Sequence, residues 1–70
     1  SLKHLKKEEP KVFPYKSGIS YGVFFGNKVR LFQSGDSMEF SFDAPIIDVV
    51  YDNSQDLLWL ALENNFIIIL

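Results

Sequence analysis

Asp52, Ser54, Asp56 and Glu63 fall at the first, third, fifth and twelfth places of a calcium-binding loop. That spacing would gather oxygen donors around a hard cation. The same loop needs glycine at its sixth place for a sharp turn, and Leu57 stands there. It also needs flanking helices, whereas the residues on either side read as strands. The cluster is therefore expected to be a polar hairpin tip. Asp36, Glu39, Asp43 and Asp48 are a second set of carboxylates. Paired carboxylates can do acid–base work, but these four are spread over turns and one wet strand face. Asp48 differs from the others because it interrupts an apolar strand. A lone buried carboxylate is costly, so Asp48 is expected to pair with a Lys or Arg or to cap a turn.

His4 is the one histidine, and it sits in a lysine-rich leader. With no cysteine and no second histidine, a transition-metal site lacks ligands. Trp59 and Tyr21 could stack a base or a sugar or anchor a peptide, but the expectation is that both are structural, core residues of equivalent strands. Neither a phosphate-binding glycine loop nor a G-x-S-x-G elbow is present. No catalytic, cofactor-binding or metal-ligating residue is assigned, and the chain reads as a non-enzyme.

These residues must be positioned by a chain of 70 residues, enough for one domain at most. Its 47% hydrophobic and 16% aromatic content supplies core material. A net charge of −2 argues against a nucleic-acid module, which would carry a basic stripe. Uncharged runs such as Ser17 to Asn27 and Leu57 to Leu62 fall short of the roughly 20 residues that span a bilayer. Membrane insertion by this segment is not expected.

Residues 1–16 form a polar lead-in that holds five of the seven basic residues, with one short strand from Lys11 to Phe13. Residues 17–70 read as a β domain. Ile19 to Phe25, the turn Gly26-Asn27 and Lys28 to Gln33 make a hairpin. Ser34 to Ser37 is the next turn. Met38 to Asp43 alternates, with Met38, Phe40 and Phe42 expected inward. Asp43 to Pro45 is a connector. Ile46 to Tyr51 should place Ile47, Val49 and Tyr51 on one face and Ile46, Asp48 and Val50 on the other. Leu57 to Glu63 should place Leu58, Leu60 and Leu62 together; a helix is the rival reading of this run, since Leu, Ala and Glu are good helix formers. Asn64-Asn65 is a hairpin turn. Phe66 to Leu70 is apolar on both faces and must be covered on both, or it is an aggregating edge. The sum is about six short antiparallel strands.

Laying Gly26-Asn27 over Asn64-Asn65 gives an offset of 65 − 27 = 38 residues. Tyr21 then falls on Trp59, Val23 on Ala61, Phe24 on Leu62, Val29 on Ile67 and Leu31 on Ile69. Self-similarity at about 40 residues is a signature of propeller blades. The run Ile46 to Leu70 resembles a β-propeller blade. It is similar to the short propeller repeats of two-component sensor proteins through Asp52, the pair Leu58-Trp59 and the turn Asn64-Asn65. It is similar to WD-repeat blades in strand order, although the Gly-His and Trp-Asp dipeptides of that family are absent.

The resemblance implies blade-like units at residues 17–43 and 45–70, part of a larger propeller. It also implies a ligand-sensing or scaffold role in signalling. Loops such as Ser34 to Ser37 and Asp52 to Asp56 would meet a protein partner or small ligand. Further repeats or self-association would cover the sheets. The alternative is a self-contained small β-barrel that binds a peptide or single-stranded nucleic acid.

Overall fold

The computed structural model describes residues 9–16 and 20–70. Seven strands and no helix occur among them. They are β1 (Lys11–Pro14), β2 (Tyr21–Phe25), β3 (Lys28–Gln33), β4 (Asp36–Ser41), β5 (Ile46–Asp52), β6 (Leu57–Leu62) and β7 (Ile67–Ile69). The run LLWLAL is a strand, as its place between two turn clusters indicated. Every pairing is antiparallel, in two sheets of order β1-β2-β3-β4 and β5-β6-β7. Both sheets are open meanders, so the described residues close no barrel. His4, Ser17 and Gly18 lie outside the described residues.

Turn chemistry sets the registers. Phe25 pairs with Lys28, leaving Gly26-Asn27 as a two-residue turn with Gly26 at φ 60. Positive φ at the first central position suits the twist of the flanking strands. Gln33 pairs with Asp36, so the β3–β4 turn is only Ser34-Gly35, with Gly35 at φ 72. Asp36 and Ser37 belong to β4, which runs earlier than the Met38 to Asp43 expected. The β6–β7 turn takes three residues, because the Leu62 amide donates to the Phe66 carbonyl at 2.9 Å. Asn65 takes the left-handed φ of 72 there. A three-residue loop of this kind carries a bulge, and Asn tolerates that conformation.

The two sheets bury their facing sides against each other. Phe13, Tyr15, Phe24, Val29 and Leu31 meet Ile46, Val49, Leu58, Leu60 and Leu62. Leu58, Leu60 and Val29 are fully buried, each contributing about 1.5–3 kcal/mol by removal from water. The leucine face of β6 is thus as alternation predicts. β1 belongs to this core through Phe13, so the first sheet begins at Lys11 and not at Ser17.

Three face assignments differ from expectation. A bulge between Ile46 and Asp48 breaks the alternation of β5 and puts both Ile46 and Val49 in the core, with Ile47 outside. Met38 pairs with buried Leu31 but is 46% exposed, because it sits on the edge strand; Phe40 and Phe42 pack on the core. Tyr21 and Trp59 lie on the outward faces of their sheets, at 43% and 38% exposure.

Gly22 pairs with Phe13, whose ring tip occupies the space beside the glycine Cα. A Cβ added there would run into that ring. We expect Gly22→Ala to destabilise the protein by about 1–3 kcal/mol through overpacking. The double variant Gly22→Ala/Phe13→Leu should cost less than the sum of its parts. Urea unfolding of the three variants checks this.

Candidate functional site

Two of the connections proposed from sequence as binding loops lie at the same end of the sandwich. Pro14 at the end of β1 pairs with Tyr21 at the start of β2, and Tyr21 pairs with Phe32 just before the Ser34-Gly35 turn. Of the two residues that follow β1, Tyr15 meets Tyr51 near the end of β5 and Lys16 reaches Asp56 in the turn that follows. The end of β1, the β3–β4 turn and the β5–β6 turn therefore form one rim.

The first part of the rim is a clasp. The Tyr51 hydroxyl donates a short hydrogen bond to Asp56 Oδ1. Lys16 Nζ stands 3.5 Å from the same oxygen and 5.6 Å from the centre of the Tyr15 ring. Tyr15 meets Tyr51 edge-on at 5.2 Å. Lys16 and Asp56 both take left-handed backbone angles, φ 55 and φ 57. Such angles are uncommon outside glycine, so the clasp ties together two reversals that the backbone alone disfavours. Asp52 Oδ1 accepts from the Ser54 amide at 3.0 Å and from the Ser54 hydroxyl at 2.7 Å, which shapes the turn locally.

These bonds shift the acids and the phenol in opposite directions. The hydrogen bond to Asp56 pushes Tyr51 up from 10.0 to about 12. The Tyr51 hydroxyl, then Lys16, holds Asp56 below its ordinary value. The Ser54 hydroxyl does the same for Asp52.

The second part of the rim is an open groove of about 500 Å³ lined by Tyr21, Phe32 and Gln33, the Ser34-Gly35 turn, and Asp36 and Ser37 at the start of β4. The Tyr21 and Phe32 rings stack at 4.8 Å with 20° between their planes. Phe32 was not singled out in the sequence. Its cross-strand partnership with Tyr21 shows only once the Gly26-Asn27 turn fixes the register.

The remaining candidate residues are not brought together. Glu63 follows the far end of β6, about 20 Å from the Asp52 turn at roughly 3.3 Å per residue. The calcium-loop spacing thus gathers no donor set, and no group of three metal-ligating side chains occurs among the described residues. Asp36 Oδ1 accepts from the Ser37 amide at 2.9 Å. Glu39 pairs with Arg30 at 2.6 Å across β3 and β4. Asp48 Oδ1 accepts from the Val49 amide at 2.9 Å, satisfying the bulge rather than a cation. Asp43 lines a separate groove with Phe42, Phe66 and Ile68.

Comparison of the chain with protein-family models, with curated proteins and with solved structures returns no match.

The clasp predicts two opposite pH limbs. An unfolded Asp56 binds its proton at higher pH than the folded one, so the clasp's contribution is lost as pH falls through the lowered folded value. An unfolded Tyr51 loses its proton near 10.0 and the folded one near 12, so that contribution fades as pH rises across this interval. Tyr51→Phe should lack the alkaline limb, so the stability difference between the two proteins should fade as pH rises from 10.0 to about 12. The substitution should also move the Asp56 carboxyl back up in a carbon-detected NMR titration. An Asp56 titration that Tyr51→Phe leaves unmoved would show that the bond contributes nothing in solution.

Proposed function

We propose that the chain is a non-catalytic interaction module, built of propeller-blade-like sheets that stack on further sheets and offer their rim to a partner or small ligand. The observation that carries this reading is the exposed apolar surface across the outward face of the second sheet, with a smaller apolar patch on the first beside Lys28, Arg30 and Glu39. On the second sheet, Val50, Trp59 and Ile69 lie side by side across three strands, and Asp48, Ala61 and Ile67 form the next row. On the first, Tyr21 pairs with Phe32 across β2 and β3, and Val12 pairs with Val23 across β1 and β2. Val12, Val50, Ile67 and Ile69 are each at least half exposed. A two-layer protein that works alone turns polar residues to water on its outer sides. Contiguous exposed apolar surface marks a contact to be made.

The order of strands supports the same reading. β1-β2-β3 and β5-β6-β7 are meanders of the same hand-over-hand order, and buried Phe24 corresponds to buried Leu62 at the 38-residue offset. The rim would then meet a partner, with the clasp fixing one turn and the Tyr21–Phe32 platform accepting a planar or sugar-like group. That platform also favours the second reading, a module that binds by aromatic stacking.

Replacing an outward apolar residue tests the proposal. Phe25→Asp and Trp59→Asp should cost about 1–2 kcal/mol through lost strand preference and cross-strand pairs, below the roughly 3–5 kcal/mol of removing a core aromatic. They should also reduce binding of a hydrophobic dye and lower any self-association. Losses of core size would mean that these faces are already buried and would end the reading. Coding sequence next to this segment should show more units at a spacing of about 38 residues.

A further inference from the structure

The groove beside the β3–β4 turn, about 500 Å³ and open to water, has an aromatic part and a polar part. The aromatic part is the stack of Tyr21 and Phe32, with ring centres 4.8 Å apart and planes 20° from parallel. Each ring gives one face to the other and keeps its opposite face. Tyr21 is half-exposed. Ser37 stands across from Phe32 on β4, and a serine is too short to cover a phenyl ring. At Gly35 nothing lies within 4 Å of where a side chain would begin, so the groove stays open at the turn.

The polar part is Gln33, Ser34, Asp36 and Ser37. These side chains supply an amide, two hydroxyls and a carboxylate, so donors and acceptors are both present. Asp36 Oδ1 accepts from the Ser37 amide at 2.9 Å, which fixes the carboxylate in place. Its second oxygen has no partner among the described residues. Among the described residues, no basic side chain lines this groove. The cations of the same sheet face, Lys28 and Arg30, line a neighbouring groove instead, and Glu39 holds Arg30 there at 2.6 Å.

We infer that this groove binds a neutral oligosaccharide. The inference rests on the interaction-module reading and names the ligand class of its rim. The free aromatic faces carry partial negative charge, which attracts the polarised C–H groups on the flatter side of a pyranose ring. The hydroxyls around that ring both donate and accept, as Gln33, Asp36 and Ser37 together require. An anionic ligand would meet a carboxylate and no cation, which disfavours a nucleotide or a phosphorylated peptide. A purely apolar ligand would strip water from Gln33 and Asp36 and give nothing back. The open shape suits a sugar chain that lays part of its length on the rings and leaves the rest in water.

Amide chemical shifts of the whole chain test this, titrated in turn with cellohexaose, chitohexaose, xylohexaose, mannohexaose, laminarihexaose and maltohexaose. At least one should move the amides of Tyr21, Phe32, Gln33, Gly35 and Ser37, and the shifts should saturate. Tyr21→Thr keeps the strand preference and should weaken binding of that sugar about tenfold. Asp36→Asn can still accept from the Ser37 amide and should weaken it about fivefold, since a neutral acceptor replaces a charged one. If Tyr21→Thr does not fold, Asp36→Asn and the wild-type shifts decide. The inference is overturned if no sugar moves these amides or if the saturating shifts centre elsewhere. It is also overturned if hexauridylate, or an uncharged peptide of Gly, Ser and Tyr, moves them when no sugar does. Hydrophobic-dye binding by wild type is read on the same samples. Dye bound without sugar overturns this inference alone, whereas neither bound ends the broader reading as well.

Discussion

The interaction on which this protein depends is the contact between the leucine face of β6 and the inward residues of β2 and β3. Leu58, Leu60 and Leu62 project from one side of a single strand at the period of two that a strand imposes. They can leave water only if another apolar layer lies over them. Val29, Leu31 and Phe24 supply it. Neither sheet can hide its inner face alone, so the folding of each is conditional on the other. Local features, from the two-residue turn at Gly26-Asn27 to the glycine beside the Phe13 ring tip, serve to bring these two faces into register.

That constraint has a second side. Burying one face of a sheet does nothing for the other, and the outward face of the second sheet is also largely apolar. Trp59 shows the conflict most clearly. Its neighbours along β6, Leu58 and Leu60, are sealed in the core, while the indole itself stands outward between Val50 and Ile69. A large apolar side chain flanked by two more is a poor choice for a surface that stays wet. It is a good choice for one that will be covered. The sandwich is thus well satisfied between its layers and unsatisfied outside them.

Much of the architecture was legible because strand period and turn residues are local signals. The alternation in LLWLAL gave the buried face of β6, and glycine at Gly26 gave the tightest turn. What failed was whatever depends on a single inserted residue. The bulge between Ile46 and Asp48 is one residue long, yet it moves Ile46 into the core and reverses half the expected face assignment of β5. The three-residue turn before β7 likewise offsets that strand by one. Val29 and Leu31 are buried, whereas Ile67 and Ile69, laid on them by the 38-residue offset, face outward. Alternation has no memory across such an insertion. The clasp was illegible for another reason: Lys16 and Asp56 are 40 residues apart by number, and nothing local to either announces the other.

The rim inherits its order from this same core. Asp56 holds a left-handed backbone angle at the tip of a turn that has no packing of its own, and Tyr51 and Lys16 reach it only because their strands are fixed below. Tyr15 is the link, since it is buried in the core and also lies edge-on to Tyr51. Disturbance of the layer beneath would therefore reach the clasp through Tyr15. Loss of the clasp, by contrast, would free a surface turn and leave Leu58 and Leu60 where they are. In the proposed role this asymmetry would let the rim adapt to a partner while the sheets that carry it stay set.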